Sequence, residues 1–137
     1  MNKYILSSGI GLGKTDLTSF DDALLHSGVA NYNLVKVSSI LPADSMEVKH
    51  IDLKEGSILY TAYSCRTSKL RGERIAAAIA VGIPNNPSNV GVIMELSMHA
   101  SKDQVLYEIS EMVKEAMRKR DYEIKEIKTS AVEAVCD

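Results

Sequence analysis

Few side chains in this sequence are placed to do chemistry, and the clearest are two adjacent serines. Residues 31–42 read NYNLVKVSSILP: a short alternating strand that runs into Ser38 and Ser39 and is stopped by Pro42. Taken alone, such a pair is an ordinary polar strand end. Glu95, within the strand-like run NVGVIMELS (89–97), is a second candidate. It shares strand parity with Gly91, Ile93 and Ser97, a largely apolar set. A carboxyl buried there without a compensating cation would favour its protonated, proton-donating form.

The stretch GIGLGKT (9–15) invites comparison with a phosphate-binding loop, which needs Gly, four residues, then Gly-Lys-Thr. Counting back from Gly13 places Ser8 where the first glycine belongs. The next helix is expected to start only at Thr18, so its amides would not surround a phosphate. A flexible glycine loop beside a binding site is the expectation instead. Cys65 and Cys136 lie far apart, and His26, His50 and His99 form no cluster with them, so neither a disulfide framework nor a metal site is expected.

Composition narrows the class. The 137 residues are 45% hydrophobic, enough for one domain with a proper core. Sixteen basic against eighteen acidic residues leave a formal charge of −2, with no basic footprint for nucleic acid. No apolar run approaches the roughly 20 residues needed to cross a bilayer. The N-terminal apolar stretch is too short for a secretory signal. A cytoplasmic, soluble domain with neither membrane nor nucleic acid as partner is therefore expected.

The elements that must position these residues follow from periodicity. Strands are predicted over residues 3–8, 32–38, 58–66, 73–84, 89–97 and 122–134. A helix is predicted from about 18 to 28, with Thr18 as N-cap, Asp21 in its first turn and Gly28 at its exit. Ser101 with Gln104 opens a longer amphipathic helix, carrying Val105, Ile109, Met112, Val113 and Ala116 to about residue 119. In ERIAAAIAVGIP (73–84), Ile75, Ile79, Val81 and Ile83 share one parity, and Ala76, Ala78, Ala80 and Gly82 the other. A strip that small would let a second sheet approach closely, although packing on a helix is the competing explanation. The order predicts an α+β fold with helices outside packed sheets: a four-layer α/β/β/α sandwich with closely packed small-residue sheets.

The segments LTSFDDALLHSG (17–28), NYNLVKVSSILP (31–42), the Glu73-anchored strand ending AVGIP, and VGVIMELS (90–97) together resemble the pyruvoyl-dependent arginine decarboxylases, in that family's order through most of the chain. The resemblance implies self-cleavage between Ser38 and Ser39, giving a 1–38 beta chain and a 39–137 alpha chain. The Ser39 hydroxyl would attack the Ser38 carbonyl, and elimination and hydrolysis would leave a pyruvoyl group as covalent cofactor, with no metal and no pyridoxal phosphate. Its ketone would form an imine with the substrate amine, so that L-arginine yields agmatine and CO2. Glu95 and Asn33 are implied as catalytic residues, and Asp21, Asn33 and Ser38 as substrate-binding, with Asp21 gripping the guanidinium. Helix placement explains Asp21 equally well, and its neighbour Asp22 is expected to be solvated.

Asn33 lies six residues from Ser39, on the order of 20 Å along a straight strand. Either the chain bends sharply or a neighbouring subunit supplies one of the two, in keeping with the family's trimers; a homotrimer or dimer of trimers is expected. Three features depart from the family pattern. The segment RTSKLRGER (66–74) is unusually basic, which matters only if it lines the pocket and not if Gly72 makes it a hairpin tip. Ala30 stands where a glycine-like residue is expected, and the chain stops at Asp137, short of a longer family tail. The competing possibilities are the same cofactor acting on another amino acid, and an unprocessed small-ligand-binding trimer.

Overall fold

The alternation of Ala76, Ala78, Ala80 and Gly82 decides how the main layers meet. In the computed structural model, which describes residues 2–137, these residues lie on one face of a four-stranded antiparallel sheet. The elements along the chain are β1 (Lys3–Tyr4), α1 (Asp16–Ser27), β2 (Asn33–Lys36), β3 (Ile40–Leu41), β4 (Met46–Glu47), β5 (Ile58–Thr61), β6 (Arg74–Pro84), β7 (Gly91–Met98), α2 (Lys102–Lys119) and β8 (Ile124–Val135). The large sheet runs β3-β7-β6-β8, while β2 with β5 and β1 with β4 form two parallel pairs. The fold is mixed α and β, with the predicted order of elements.

The small face is covered by α2, not by a second sheet, which corrects the expectation of closely packed small-residue sheets. Ala76, Ala78 and Ala80 form one buried cluster with Val92, Val105, Ile109, Val113, Ala116 and Met117. A Cβ on Gly82 would stand 2.6 Å from Val113 Cγ1. Small sheet residues are what allow the β-branched knobs of the helix to seat this deeply. Val105, Ile109, Val113 and Met117 are fully buried, each contributing roughly 1.5–3 kcal/mol. The Ser101 hydroxyl accepts from Gln104 N–H at 3.2 Å, so the cap is where the sequence placed it.

Helix α1 begins earlier than expected. Thr15 is its N-cap and Thr18 the N3 partner in a reciprocal capping box: Thr18 N–H donates to Thr15 Oγ1, and Thr15 N–H to Thr18 Oγ1, both at 3.1 Å. Gly28, at φ 82°, closes the helix in the left-handed conformation. None of α1's residues is buried.

What docks the helix is the glycine run, which is extended backbone laid along α1 and not a flexible loop. A Cβ on Gly9 would fall 2.5 Å from Ala23 O, on Gly11 2.2 Å from Ala23 N, and on Gly13 2.4 Å from Ser19 N. Every second residue faces the helix, so every second residue lacks a side chain. Leu12 N–H donates to Asp22 Oδ2 at 2.9 Å, fixing the register. The helix does follow directly on Lys14-Thr15, contrary to expectation. Even so, the glycines are sealed against α1, and Thr18 N–H is already taken by the cap.

The predicted strand 32–38 divides. β2 pairs with β5 (Asn33↔Ile58 to Lys36↔Thr61), and then the chain passes to the large sheet, where Ile40 pairs with Val92 of β7. Residues 37–39 therefore form a sheet-to-sheet crossover. The residues after β5 return over the large sheet, where the Ser64 hydroxyl bridges Ala78 O and Leu96 O at 2.9 and 3.1 Å. Between the N-terminal layer and the α2-distal sheet face lies a cavity of about 1090 Å³, walled by Phe20, Leu24, Ile75, Ile79, Val81 and Ile93 among others.

Candidate active site

Both serines of the pair are exposed, and their crossover is pinned at each side. Val37 N–H donates to Thr61 O at 3.0 Å, on the β2/β5 side. Ile93 N–H donates to Ser39 O at 2.7 Å, on the large-sheet side. Among the described residues, neither the Ser38 carbonyl nor the Ser39 amide takes part in a backbone hydrogen bond. The peptide unit between the serines is thus suspended between two sheets, with its ends held and its own polar groups uncommitted. The Ser39 hydroxyl, carried on the Cβ next to such a peptide, can approach the preceding carbonyl without first breaking a ladder.

Glu95 lies on β7 opposite Ile79, on the face that also carries Ile93 and looks away from α2. The expectation of a carboxyl without a compensating cation is corrected. Lys36 Nζ, at the end of β2, stands 3.0 Å from Glu95 Oε1, with 53% and 35% of the two side chains exposed. The ammonium also lies 4.9 Å from the Tyr63 ring centroid. The hydrogen bond to Glu95 holds the Lys36 ammonium above the ordinary lysine range, with the carboxylate's charge adding to it. Tyr63 in turn packs against Phe20 of α1, their centroids 6.0 Å apart.

Ser39 is held to β7 at Ile93, two residues from Glu95, which pairs with Lys36; Asn33 and Asp21 take no part in these hydrogen bonds. The Asn33 side-chain amide donates to Gly56 O at 2.8 Å. Asp21 is exposed on the second turn of α1; the acidic residue of the first turn is Asp16, so the helix-placement role for Asp21 falls away. Asp22, expected to be solvated, is instead half-buried and holds Leu12 N–H.

The basic segment divides: Arg66 and Lys69 are among the residues lining the cavity, and the part around Gly72 is turned outward. Gly72, at φ 85°, makes an exposed turn. Lys69 pairs with Asp16 at 3.3 Å, and Arg74 pairs with Glu133. Arg66 Nη2 donates to Ser97 O at 2.8 Å, two residues along β7 from Glu95. Among the described residues, no group of three or more His, Cys, Asp or Glu side chains could hold a metal ion, and no helix is long and apolar enough to cross a membrane.

Lys36 and Tyr63 escaped the sequence reading. The signal for Lys36 was a single basic residue inside an apolar strand, three residues before the second serine; its pairing across two sheets has no local signature. Tyr63 carried none.

The chain is thus a mixed α and β protein with an exposed serine pair at a sheet crossover, flanked on β2 and β7 by the partners of a carboxylate–ammonium pair. A family model described as pyruvoyl-dependent arginine decarboxylase matches residues 3–136. The chain is 39% identical over 132 residues to the pyruvoyl-dependent arginine decarboxylase of Methanococcus vannielii, covering 96% of this chain and 80% of that one. Identity to the enzyme of the same name from Methanocaldococcus jannaschii is also 39%, with the same coverage. The Thermococcus kodakarensis protein of that name is 40% identical over 123 residues, covering 88% and 77%. The chain belongs to the pyruvoyl-dependent arginine decarboxylase family.

Proposed function

We propose that this chain is a self-processing enzyme that converts L-arginine to agmatine and CO2, after cutting itself into residues 1–38 and 39–137. The observation that carries the proposal is the Ser38–Ser39 peptide, suspended at the crossover of a chain matched to this family from end to end. The Ser39 hydroxyl attacks the Ser38 carbonyl, exchanging the peptide for an ester. Loss of the Ser39 α-proton expels Ser38 as a carboxylate and leaves a dehydroalanine, which water converts to a pyruvoyl group with release of ammonia. Only a residue bearing its nucleophile on Cβ can both attack and eliminate, and Ser39 is such a residue.

Once formed, the pyruvoyl group supplies a ketone for the substrate amine and an adjacent carbonyl that accepts electrons as CO2 leaves. The chain's own residues do the rest. Glu95, on the strand that fixes Ser39, delivers the proton that replaces CO2. Asp21 takes the guanidinium, whose paired N–H groups suit a carboxylate. Asn33 orients the substrate carboxylate from a neighbouring subunit.

That subunit belongs to a homotrimer or a dimer of trimers. In support, Val35, Val37, Ile58 and Tyr60 leave large apolar side chains exposed beside the crossover. In the same proposal α1, the β2/β5 pair, the large sheet and α2 stack as an α/β/β/α sandwich.

Intact mass of purified protein should show two chains, and a carbonyl-trapping reagent should label the 39–137 chain. Ser39→Ala should remain one chain, fold normally and release no CO2 from arginine. A single full-length wild-type chain that still decarboxylates arginine would refute the proposal.

A further inference from the structure

Lys36 has no part in the reaction as derived above, yet it pairs with the Glu95 carboxylate at 3.0 Å and lies two residues before the bond to be cut. We propose that Lys36 is a positioning residue passed from Glu95 to the new Ser38 carboxylate on self-cleavage, so that the cut itself frees Glu95 to carry a proton. The inference rests on the self-processing reaction proposed above.

The geometry supports it in three ways. First, the pair bridges the two sheets next to the crossover: Lys36 belongs to β2, Glu95 to β7, and they meet at 3.0 Å. In the uncut chain it therefore fixes the segment leading to Ser38, alongside the Val37–Thr61 and Ile93–Ser39 hydrogen bonds. Second, both side chains are substantially exposed, so neither is locked by burial into one partner. Third, Ser38 follows Lys36 by two residues, so their Cα atoms lie at most about 7 Å apart, within reach of a four-carbon stem. Cleavage also unties residue 38, so the end of the 1–38 chain can follow the ammonium.

Charge counting points the same way. Before the cut, one ammonium faces one carboxylate. Ester elimination leaves the former Ser39 hydroxyl oxygen on the Ser38 carbonyl, creating a second carboxylate. One ammonium cannot neutralise both, and two carboxylates beside one cation favour protonation of one of them. The Tyr63 ring lies under the Lys36 ammonium, and the Arg66 guanidinium is engaged by Ser97 O, two residues along β7 from Glu95. Ile79 of β6 and Ser130 of β8, in register with Glu95, do not titrate in the working range.

The test compares uncut Ser39→Ala with fully cut wild type. Crystal structures should show Lys36 Nζ on Glu95 in the uncut chain and on the Ser38 carboxylate in the cut one. Infrared difference spectra across a pH series, assigned with Glu95→Gln, should show the protonated-carboxyl band appearing at higher pH in the cut form than in the uncut one. Lys36→Met placed in the uncut background should move that appearance to higher pH without cleavage, while Lys36→Arg should leave it in place. An ammonium still on Glu95 in cut, active enzyme would overturn the hand-over and leave the decarboxylase proposal standing. Wild type that never cuts would instead remove both, and intact mass tells the two failures apart.

Discussion

Replacing Gly11 with alanine is the sharpest test of why the N-terminal glycines are there. The added Cβ would lie 2.2 Å from Ala23 N and 2.3 Å from Ser19 O. Both atoms are helix backbone, so no rotamer change relieves the clash. Restoring a contact of roughly 3.5 Å requires the extended segment and α1 to part by about 1 Å. Overpacking of this kind costs about 1–3 kcal/mol. Loss of the Leu12–Asp22 hydrogen bond adds roughly 0.5–1.5 kcal/mol. For a chain of this length, about 4 °C of Tm per kcal/mol then predicts a fall on the order of 6–18 °C. The control is Gly28→Ala, where nothing lies within 4 Å and only φ 82° opposes the substitution, a cost of about 1–2 kcal/mol. Thermal melts should rank Gly11→Ala clearly below Gly28→Ala. Hydrogen exchange should show the amides of α1 losing protection first, because that helix buries none of its own residues. Equal melts would refute the packing argument. A rise in wild-type Tm with magnesium and ATP would restore the phosphate-loop reading, since a ligand that binds only the folded state must stabilise it.

Two further outcomes follow from the site and its supports. Asp21→Asn should raise KM for arginine by roughly 10- to 100-fold, the equivalent of about 1.5–3 kcal/mol for a charged hydrogen-bonding partner, while leaving chain cleavage intact; unchanged steady-state kinetics would remove Asp21 from the substrate. Glu133 accepts from Lys102 N–H, the contact chiefly responsible for holding its carboxyl below the usual range, and pairs with Arg74. A depressed folded value contributes stability that is fully present above the unfolded value of about 4.3 and lost as pH falls through the folded one. Glu133→Gln should therefore lower Tm at pH 7, and the gap to wild type should shrink as pH falls below the unfolded value; a gap that does not narrow in acid would refute the linkage.

What could be read from the sequence was local, and what could not was the choice of partner. The strict alternation in β6, the Ser101 cap of α2 and the left-handed Gly28 each follow from one segment's own sterics, and each appears where expected. Alternation shows that one face of β6 is small, but not whether a helix or a sheet will cover it; α2 does, because its buried side chains need a shallow floor. Thr15 and Thr18 are both hydroxyl residues three apart, and a reciprocal box makes either resemble the cap. Asp21 and Asp22 differ by one position on a helix, yet only the packed glycine segment decides which is half-buried. Lys36 and Glu95 are 59 positions apart and meet only because the chain changes sheets between them.

That change of sheets links fold to function. A serine pair in the middle of a ladder would have its carbonyl and amide committed to neighbouring strands, and rearrangement to an ester would first have to break those bonds. A pair in an open loop would be free to rearrange but would lack fixed geometry. Here the two sheets hold the residues on either side, through Thr61 and through Ile93, and leave only the Ser38–Ser39 peptide between them. The hydrogen bond to Ile93 belongs to the Ser39 carbonyl, which lies on the C-terminal side of the cut. In the proposed reaction, the residue that would carry the pyruvoyl group thus stays anchored to the strand bearing Glu95 once the bond to residue 38 is broken.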